Sequence, residues 1–212
     1  MSQPENYLIG IAGNIGVGKT TLTELLSQTF GWKAYYESVI HNPYLDDFYR
    51  DMKRWSFNLQ VYFLSNRFRT LKAISESKEN AIQDRTIYED VEIFAKSLFE
   101  QGFMAERDYQ TYRDLFYDMM PYIPAPYIII YLKATPEILL ERIRKRGRGF
   151  EKTISKDYIF YLNDSYEKWI EQAKKQHRIV VINSDKINYM SDKKDFDEII
   201  RTITANLPSK DK

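Results

Sequence analysis

Residues 13–20, Gly13-Asn14-Ile15-Gly16-Val17-Gly18-Lys19-Thr20, fit the spacing G-x-x-x-x-G-K-[ST], and no other segment constrains the fold as strongly. An apolar run, Tyr7-Leu8-Ile9-Gly10-Ile11-Ala12, leads into it, and an amphipathic run from Thr20 to Phe30 leads out. That is the order strand, glycine-rich loop, helix. The glycines let successive backbone N–H groups curl around phosphate oxygens, and the helix N-terminus turns its positive dipole end on the same anion. Lys19 is expected to reach the β- and γ-phosphates and the Thr20 hydroxyl to ligate Mg²⁺. Gly13, Asn14, Ile15, Gly16, Val17, Gly18, Lys19, Thr20 and Thr21 are thus the expected triphosphate-binding residues, with a nucleoside triphosphate and Mg²⁺ as the implied cofactors.

Apolar, β-rich segments recur along the chain at Tyr7–Ala12, Lys33–Tyr36, Ala81–Gln83, Tyr127–Leu132 and Arg178–Ile182, with long amphipathic stretches between them. This alternation predicts an α/β protein: βαβ units building a five-stranded parallel sheet covered by helices on both faces. The 212 residues, 43% of them hydrophobic, suit one domain over 1–212 with a substantial core. Most of the 17 tyrosines and 12 phenylalanines are expected in that core. Pro121, Pro124 and Pro126 read as a turn into the Tyr127 strand, and residues 208–212 as a frayed tail.

The absence of cysteine excludes disulfides, thiolate catalysis and cysteine-ligated metals. With His41 and His177 as the only histidines, any metal is expected to be held by oxygen ligands and the nucleotide. A net charge of +1 offers no general attraction for nucleic acid or an anionic membrane, so neither is an expected partner. Met1-Ser2-Gln3-Pro4-Glu5 lacks the basic start and apolar core of a signal peptide. Tyr127–Leu132 is far too short to span a bilayer. A cytoplasmic location fits these features.

Several polar groups fall where strands end. Glu37 follows the second apolar segment, at the sheet edge where open α/β folds bind ligands, and can accept a proton from an attacking hydroxyl. A surface glutamate is the alternative. Asp84-Arg85 follows the third: the Asp can bind Mg²⁺ and the Arg can hold the transferring phosphate, or the Asp can merely cap the next helix. Between Ser56 and Ile74 a helical rhythm places Gln60, Phe63 and Arg67 along one edge of an apolar stripe. These suit a planar heterocycle, or are solvated polar positions. Asp90 and Phe94, four apart, share a helical face that can hydrogen-bond and stack a base, or supply a cap and a core ring. From Arg142 to Arg148, five of seven residues are cationic, and Gly147 and Gly149 interrupt the helix there. This predicts an arginine-rich lid, about 142–151, that can close over a triphosphate, with a solvated helix face as the plainer reading.

As an ordered set, GNIGVGKT, Glu37, Tyr49, RWSFNLQ with Arg67, DRTIYED and RIRKRGRGFE resemble the deoxynucleoside kinase family, from Tyr7 to about Asp185. The segments His41–Leu45 and Gln83–Asp90 are most similar to its bacterial deoxyadenosine/deoxycytidine kinase branch. The resemblance implies a P-loop kinase that moves the γ-phosphate of ATP to the 5′-hydroxyl of a deoxynucleoside. It implies Glu37 as the base and Arg85 as the residue holding that end of the sugar. Tyr49 and Glu151 would bind the 3′-hydroxyl. Gln60 would hydrogen-bond the base, Phe94 would stack on it, and Arg67 with Asp90 would read its edge, with Phe63 facing the same pocket. Arg142, Arg146 and Arg148 would lie on the ATP phosphates, Arg142 and Arg146 with a catalytic part, and Asp185 near the adenine. Thr20 and Asp84 would serve the metal. The retained Arg67/Asp90 pair points away from thymidine, with deoxyadenosine expected and deoxycytidine and deoxyguanosine as further substrates. A homodimer packed through long helices is also implied. Glu37→Gln is expected to lower kcat with little loss of stability. A nucleoside monophosphate kinase and a GTP-binding switch stand as alternatives. The first needs cations for an acceptor phosphate that Glu37 would repel, and the second needs a guanine-reading N-K-x-D or T-K-x-D element that the chain lacks.

Overall fold

The structure, a computed structural model, describes residues 6–37, 42–149, 151, 154–189 and 191–208. The N-terminal pentapeptide, His41 and the tail beyond Pro208 lie outside the described residues.

Five strands, β1 (Leu8–Ala12), β2 (Lys33–Tyr35), β3 (Ala81–Asp84), β4 (Ile128–Lys133) and β5 (Ile179–Asn183), form one parallel sheet in the order β2-β3-β1-β4-β5. Each lies within about two residues of its expected place. β1 reads Leu-Ile-Gly-Ile-Ala and is buried throughout. Its side chains alternate between two apolar layers, as the two-residue strand period requires. Leu8 and Ala12 join Ile129 and Tyr131 on one face, whereas Ile9 and Ile11 join Ile128, Ile130 and Leu132 on the other. Near-continuous apolar strands are what a parallel sheet covered on both sides needs.

The first face is covered by α3 (Met52–Ser77), α6 (Glu106–Met119) and much of α8 (Lys156–Ala173), and the second by α1 (Lys19–Phe30), α7 (Pro136–Arg146) and α9 (Lys193–Asn206). A short α2 (Leu45–Arg50) precedes α3 and seats Leu45 and Phe48 in the first layer. α3 extends the expected Ser56–Ile74 helix by several residues at its start. There Asp51 caps it by accepting a hydrogen bond from the Arg54 amide. After β3 the chain turns through α4 (Ile87–Glu89), a π-helical turn (Asp90–Ala95) and α5 (Lys96–Glu100). The prolines after α6 form a 3₁₀ turn (Met120–Tyr122) and a loop that leads to β4.

The connection leaving β1 runs towards β2, whereas those leaving β3 and β4 run the opposite way. Strand order therefore reverses beside β1, and a crevice opens at the carboxyl ends of β1 and β3.

Candidate active site

The loop at Gly13–Thr20 fills that crevice. Gly18 caps α1 in the left-handed conformation (φ +106°), and a Cβ added to it would sit 2.4 Å from the Tyr189 hydroxyl. Only glycine admits both the backbone angle and the close ring. Lys19 Nζ donates to the carbonyls of Gly13 (2.7 Å) and Asn14 (3.1 Å). Burial, aided by the nearby Arg85 guanidinium, lowers its pKa to about 8. The Thr20 hydroxyl donates to Asp84 Oδ2 at 2.6 Å, and Asp84 Oδ1 is buried without a hydrogen-bond partner among the described residues. Burial raises the Asp84 pKa against the opposing pull of Lys19. A hydroxyl and an unsatisfied carboxylate oxygen beside a phosphate loop are hard oxygen donors that fit Mg²⁺. Among the described residues no cluster of three or more His, Cys, Asp or Glu side chains could hold a metal, so most other ligands must come from nucleotide and water.

Beyond β2 and β3, four charges interlock. Glu37 Oε1 accepts from Arg67 Nη2 (2.7 Å) and pairs with Arg85 Nε (2.9 Å). Burial pushes the Glu37 pKa up, but the Arg85 and Arg67 guanidiniums outweigh it and hold the carboxyl at about 2. Arg67 also bonds Asp90 through Nε (3.0 Å) and Nη2 (3.3 Å), and the carbonyls of Asp84 (3.2 Å) and Arg85 (3.1 Å) through Nη1. All five guanidinium N–H groups are therefore spent inside the protein. Arg67 stands behind the cleft and holds both Glu37 and Asp90. Its burial and that of Gln60 overturn the solvated alternative.

Arg85 adopts φ +72°, a conformation costly for a side chain-bearing residue, and is kept there by its own N–H on the Ile11 carbonyl and by Arg67 on its carbonyl. The turn aims its guanidinium back over Glu37 and onto the Phe94 ring, 4.4 Å from the centroid. Asp84 does not cap the following helix. Thr86 does so, in a capping box with Glu89.

Gln60, Phe63, Asp90, Phe94, Tyr49 and Glu37 line one end of a cleft of about 1270 Å³, whose other end is the phosphate loop with Arg142, Ser184 and Asp185. Asp90 and Phe94 share this lining although their helix is π-type, because its wider turn brings positions four to five apart onto one side. The Gln60 Oε1 is buried without a partner among the described residues. Arg142 is a strut: it donates to the Val17 carbonyl (3.2 Å), the Ser184 hydroxyl (3.0 Å) and the Ser184 carbonyl (2.8 Å). Asp185 accepts from the Thr135 amide (3.0 Å) ahead of α7. α7 ends at Gly147 in the left-handed conformation, and beyond it Glu151 pairs with Arg146 and lies 3.8 Å from Arg148. Both carboxylate oxygens expected for a sugar are thus engaged by arginines.

Tyr158, Tyr189, Ser184 and Lys145 also line the cleft, and Glu89 and Tyr166 lie directly behind it. Lys145 falls within the expected lid and Ser184 beside the expected Asp185, whereas Tyr158, Tyr189, Glu89 and Tyr166 were not expected. The tyrosines could not be told from core tyrosines in the sequence. Glu89 carried the one legible signal, three positions after Thr86 in capping-box spacing.

A phosphate loop that shares one cleft with a guarded carboxylate and an aromatic-walled pocket defines a P-loop kinase for a small acceptor. The model of the deoxynucleoside kinase family matches residues 9–208. The chain is 47% identical over 169 residues to the deoxyadenosine/deoxycytidine kinase of Bacillus subtilis, covering 79% of this chain and 78% of that one. It is 35% identical over 194 residues to the deoxyguanosine kinase of the same organism, covering 90% and 93%. Among solved structures, deoxyadenosine kinase from M. mycoides with bound dATP superposes with a TM-score of 0.82 at 31% identity, over 94% of this chain and all of that one. The chain belongs to the deoxynucleoside kinase family and is an ATP-dependent kinase of deoxynucleosides. That assignment removes the monophosphate kinase and the GTP switch as readings of the whole chain.

Proposed function

We propose that the preferred acceptor is deoxyadenosine, with deoxycytidine and deoxyguanosine also taken, and that Glu37 accepts the proton of the 5′-hydroxyl while Arg85 orients that oxygen. The observation that carries this is the shared cleft: Glu37 stands between Arg67 and Arg85 and faces the same space as Lys19 and Thr20. A carboxylate held at about 2 is a weak base. Phosphoryl transfer through a loose transition state asks little of the base early in the reaction, so orientation and a late proton acceptor suffice.

Acceptor atoms in the pocket support the choice of base. The Gln60 Oε1 has no partner among the described residues, and Asp90, whose oxygens accept from Arg67, also lines the cleft. Adenine and cytosine offer an exocyclic amino group, whereas thymine offers a carbonyl there and would leave the Gln60 Oε1 unpaired. Phe94 and Phe63 supply the apolar walls, and Tyr49 and Glu151 flank the sugar. For Glu151 to reach a 3′-hydroxyl it must loosen its hold on Arg146 and Arg148, which then turn to the donor phosphates as the lid of about 142–151 closes. Arg142 holds the loop beneath, and Asp185 borders the adenine. Thr20 and Asp84 are the residues that would hold Mg²⁺, which when bound neutralises phosphate charge. Leu115, Tyr117 and Tyr122, exposed on and just after α6, support a homodimer formed through that helical face. A single domain and a cytoplasmic location complete the reading.

Incubating the protein with ATP, Mg²⁺ and each deoxynucleoside, and following ADP release, tests it. Deoxyadenosine should turn over fastest and thymidine slowest. A thymidine preference would overturn the base assignment.

A further inference from the structure

Tyr166 and Glu89 are wholly buried, lie outside the cleft lining, and connect its two ends. The Tyr166 hydroxyl accepts from Arg85 Nη1 at 3.1 Å and lies 2.9 Å from the Gly13 carbonyl and 2.7 Å from Glu89 Oε1. Glu89 Oε1 also receives the Gly13 amide at 3.0 Å, while Oε2 receives the Thr86 amide (2.7 Å) and hydroxyl (2.9 Å). Gly13 opens the phosphate loop, and Thr86 follows the strained Arg85. Two side chains therefore clamp the loop to the arginine at the acceptor end.

Proton counting gives this clamp two settings. A phenol has one proton, and Tyr166 faces two acceptors. The Gly13 carbonyl already receives Lys19 Nζ at 2.7 Å, so the tyrosine proton belongs on Glu89. Triphosphate binding draws Lys19 towards the phosphates and strips that donor from a buried carbonyl, which is costly unless another donor replaces it. Rotating the Tyr166 O–H supplies one. Glu89 Oε1 then keeps only the Gly13 amide, and Arg85 Nη1, 3.7 Å away, is the cation within reach to replace the lost donor.

We propose that Tyr166 and Glu89 are positioning residues that couple donor-phosphate binding to the placement of Arg85, so that a bound triphosphate raises deoxynucleoside affinity. This rests on Arg85 serving the acceptor, as above. By linkage, the deoxynucleoside raises triphosphate affinity by the same factor. One exchanged buried hydrogen bond corresponds to about a two- to tenfold effect.

The test is the deoxyadenosine dissociation constant with and without a non-hydrolysable ATP analogue, measured for wild type, Tyr166→Phe and Glu89→Gln, each with its melting temperature. Wild type should bind about two- to tenfold tighter with the analogue. Tyr166→Phe should bring the ratio to about one, although phenylalanine keeps the ring packing against Tyr131 and Trp169. Glu89→Gln should do the same and should also raise the KM for ATP, because its amide cannot accept from both Gly13 and Thr86. A wild-type ratio of one, or an unchanged ratio in whichever variant folds, overturns the proposal. Wild-type turnover of deoxynucleosides, measured alongside, reports separately on the assignment of the site.

Discussion

Glu37 carries two tasks that its place in the sequence did not separate. It faces the acceptor, and it is the shared counter-ion of two buried guanidiniums. Glu37→Gln should therefore reduce kcat by about 10²–10⁴-fold while changing the KM for ATP little. Contrary to the sequence-based expectation of little loss of stability, it should also lower the melting temperature clearly, because Arg67 and Arg85 lose a buried partner charge. Steady-state kinetics together with a thermal melt check both effects, and near-full turnover would remove Glu37 as the proton acceptor. Lys19 makes a second prediction. Its free-state pKa of about 8 means that above this pH the ammonium must regain a proton before it can pair with phosphate. Triphosphate affinity should thus be flat below pH 8 and weaken by up to about tenfold per pH unit above it. Titration calorimetry from pH 7 to 10 reads this slope, and Lys19→Met should abolish it.

Among the elements, the loop and α7 are fitted to each other more closely than the motif implies. A Cβ on Gly16 would lie 2.8 Å from Ile143 Cγ1 and 3.0 Å from the Leu139 carbonyl, at a backbone φ of +85°. At Gly147, φ is +69° but the nearest atom to an added Cβ is 3.8 Å away. Both Gly→Ala changes meet the left-handed penalty of about 1–2 kcal/mol. Gly16→Ala adds overpacking of about 1–3 kcal/mol and moves the loop, so the KM for ATP should rise roughly tenfold, whereas Gly147→Ala, with no close neighbour, should raise it less. Thermal melts and ATP kinetics on the pair separate the two causes. This contact was invisible in the sequence because Gly16 and Ile143 are far apart in the chain, whereas the five strands were legible from local apolar runs bounded by turns. Asp90 and Phe94 were correctly paired, but the π-helical turn that carries them was not, since an inserted wider turn leaves no periodic mark in six residues. Arg67 shows the same limit for site residues. Its position was evident from helical spacing, yet that it pairs with both Glu37 and Asp90 depends on where β2 and β3 end.

For the whole molecule, the topology concentrates charge at the end of the sheet that the apolar layers cannot cover. Lys19, Arg67 and Arg85 stand there beside Glu37, Asp84, Glu89 and Asp90, almost all buried. Such a cluster is held by its internal pairings, and any member left short of partners costs stability in exchange for readiness to bind. Asp84 is that member, with one oxygen on Thr20 and the other unpartnered among the described residues. Its pKa is raised, chiefly by burial, so the folded state favours the protonated carboxyl more than the unfolded chain does. The sign follows: its charge lowers stability at neutral pH, and the penalty is relieved as pH falls through the raised value. Asp84→Asn keeps an acceptor for the Thr20 hydroxyl and removes the charge. The variant should therefore melt higher than wild type at pH 7, with the gap closing as pH falls towards 4, while turnover with ATP and Mg²⁺ drops by at least tenfold. Melting curves across pH, paired with ADP release, decide it. A variant that melts lower at pH 7 would mean that Lys19 and Arg85 depend on the Asp84 charge more than its burial costs.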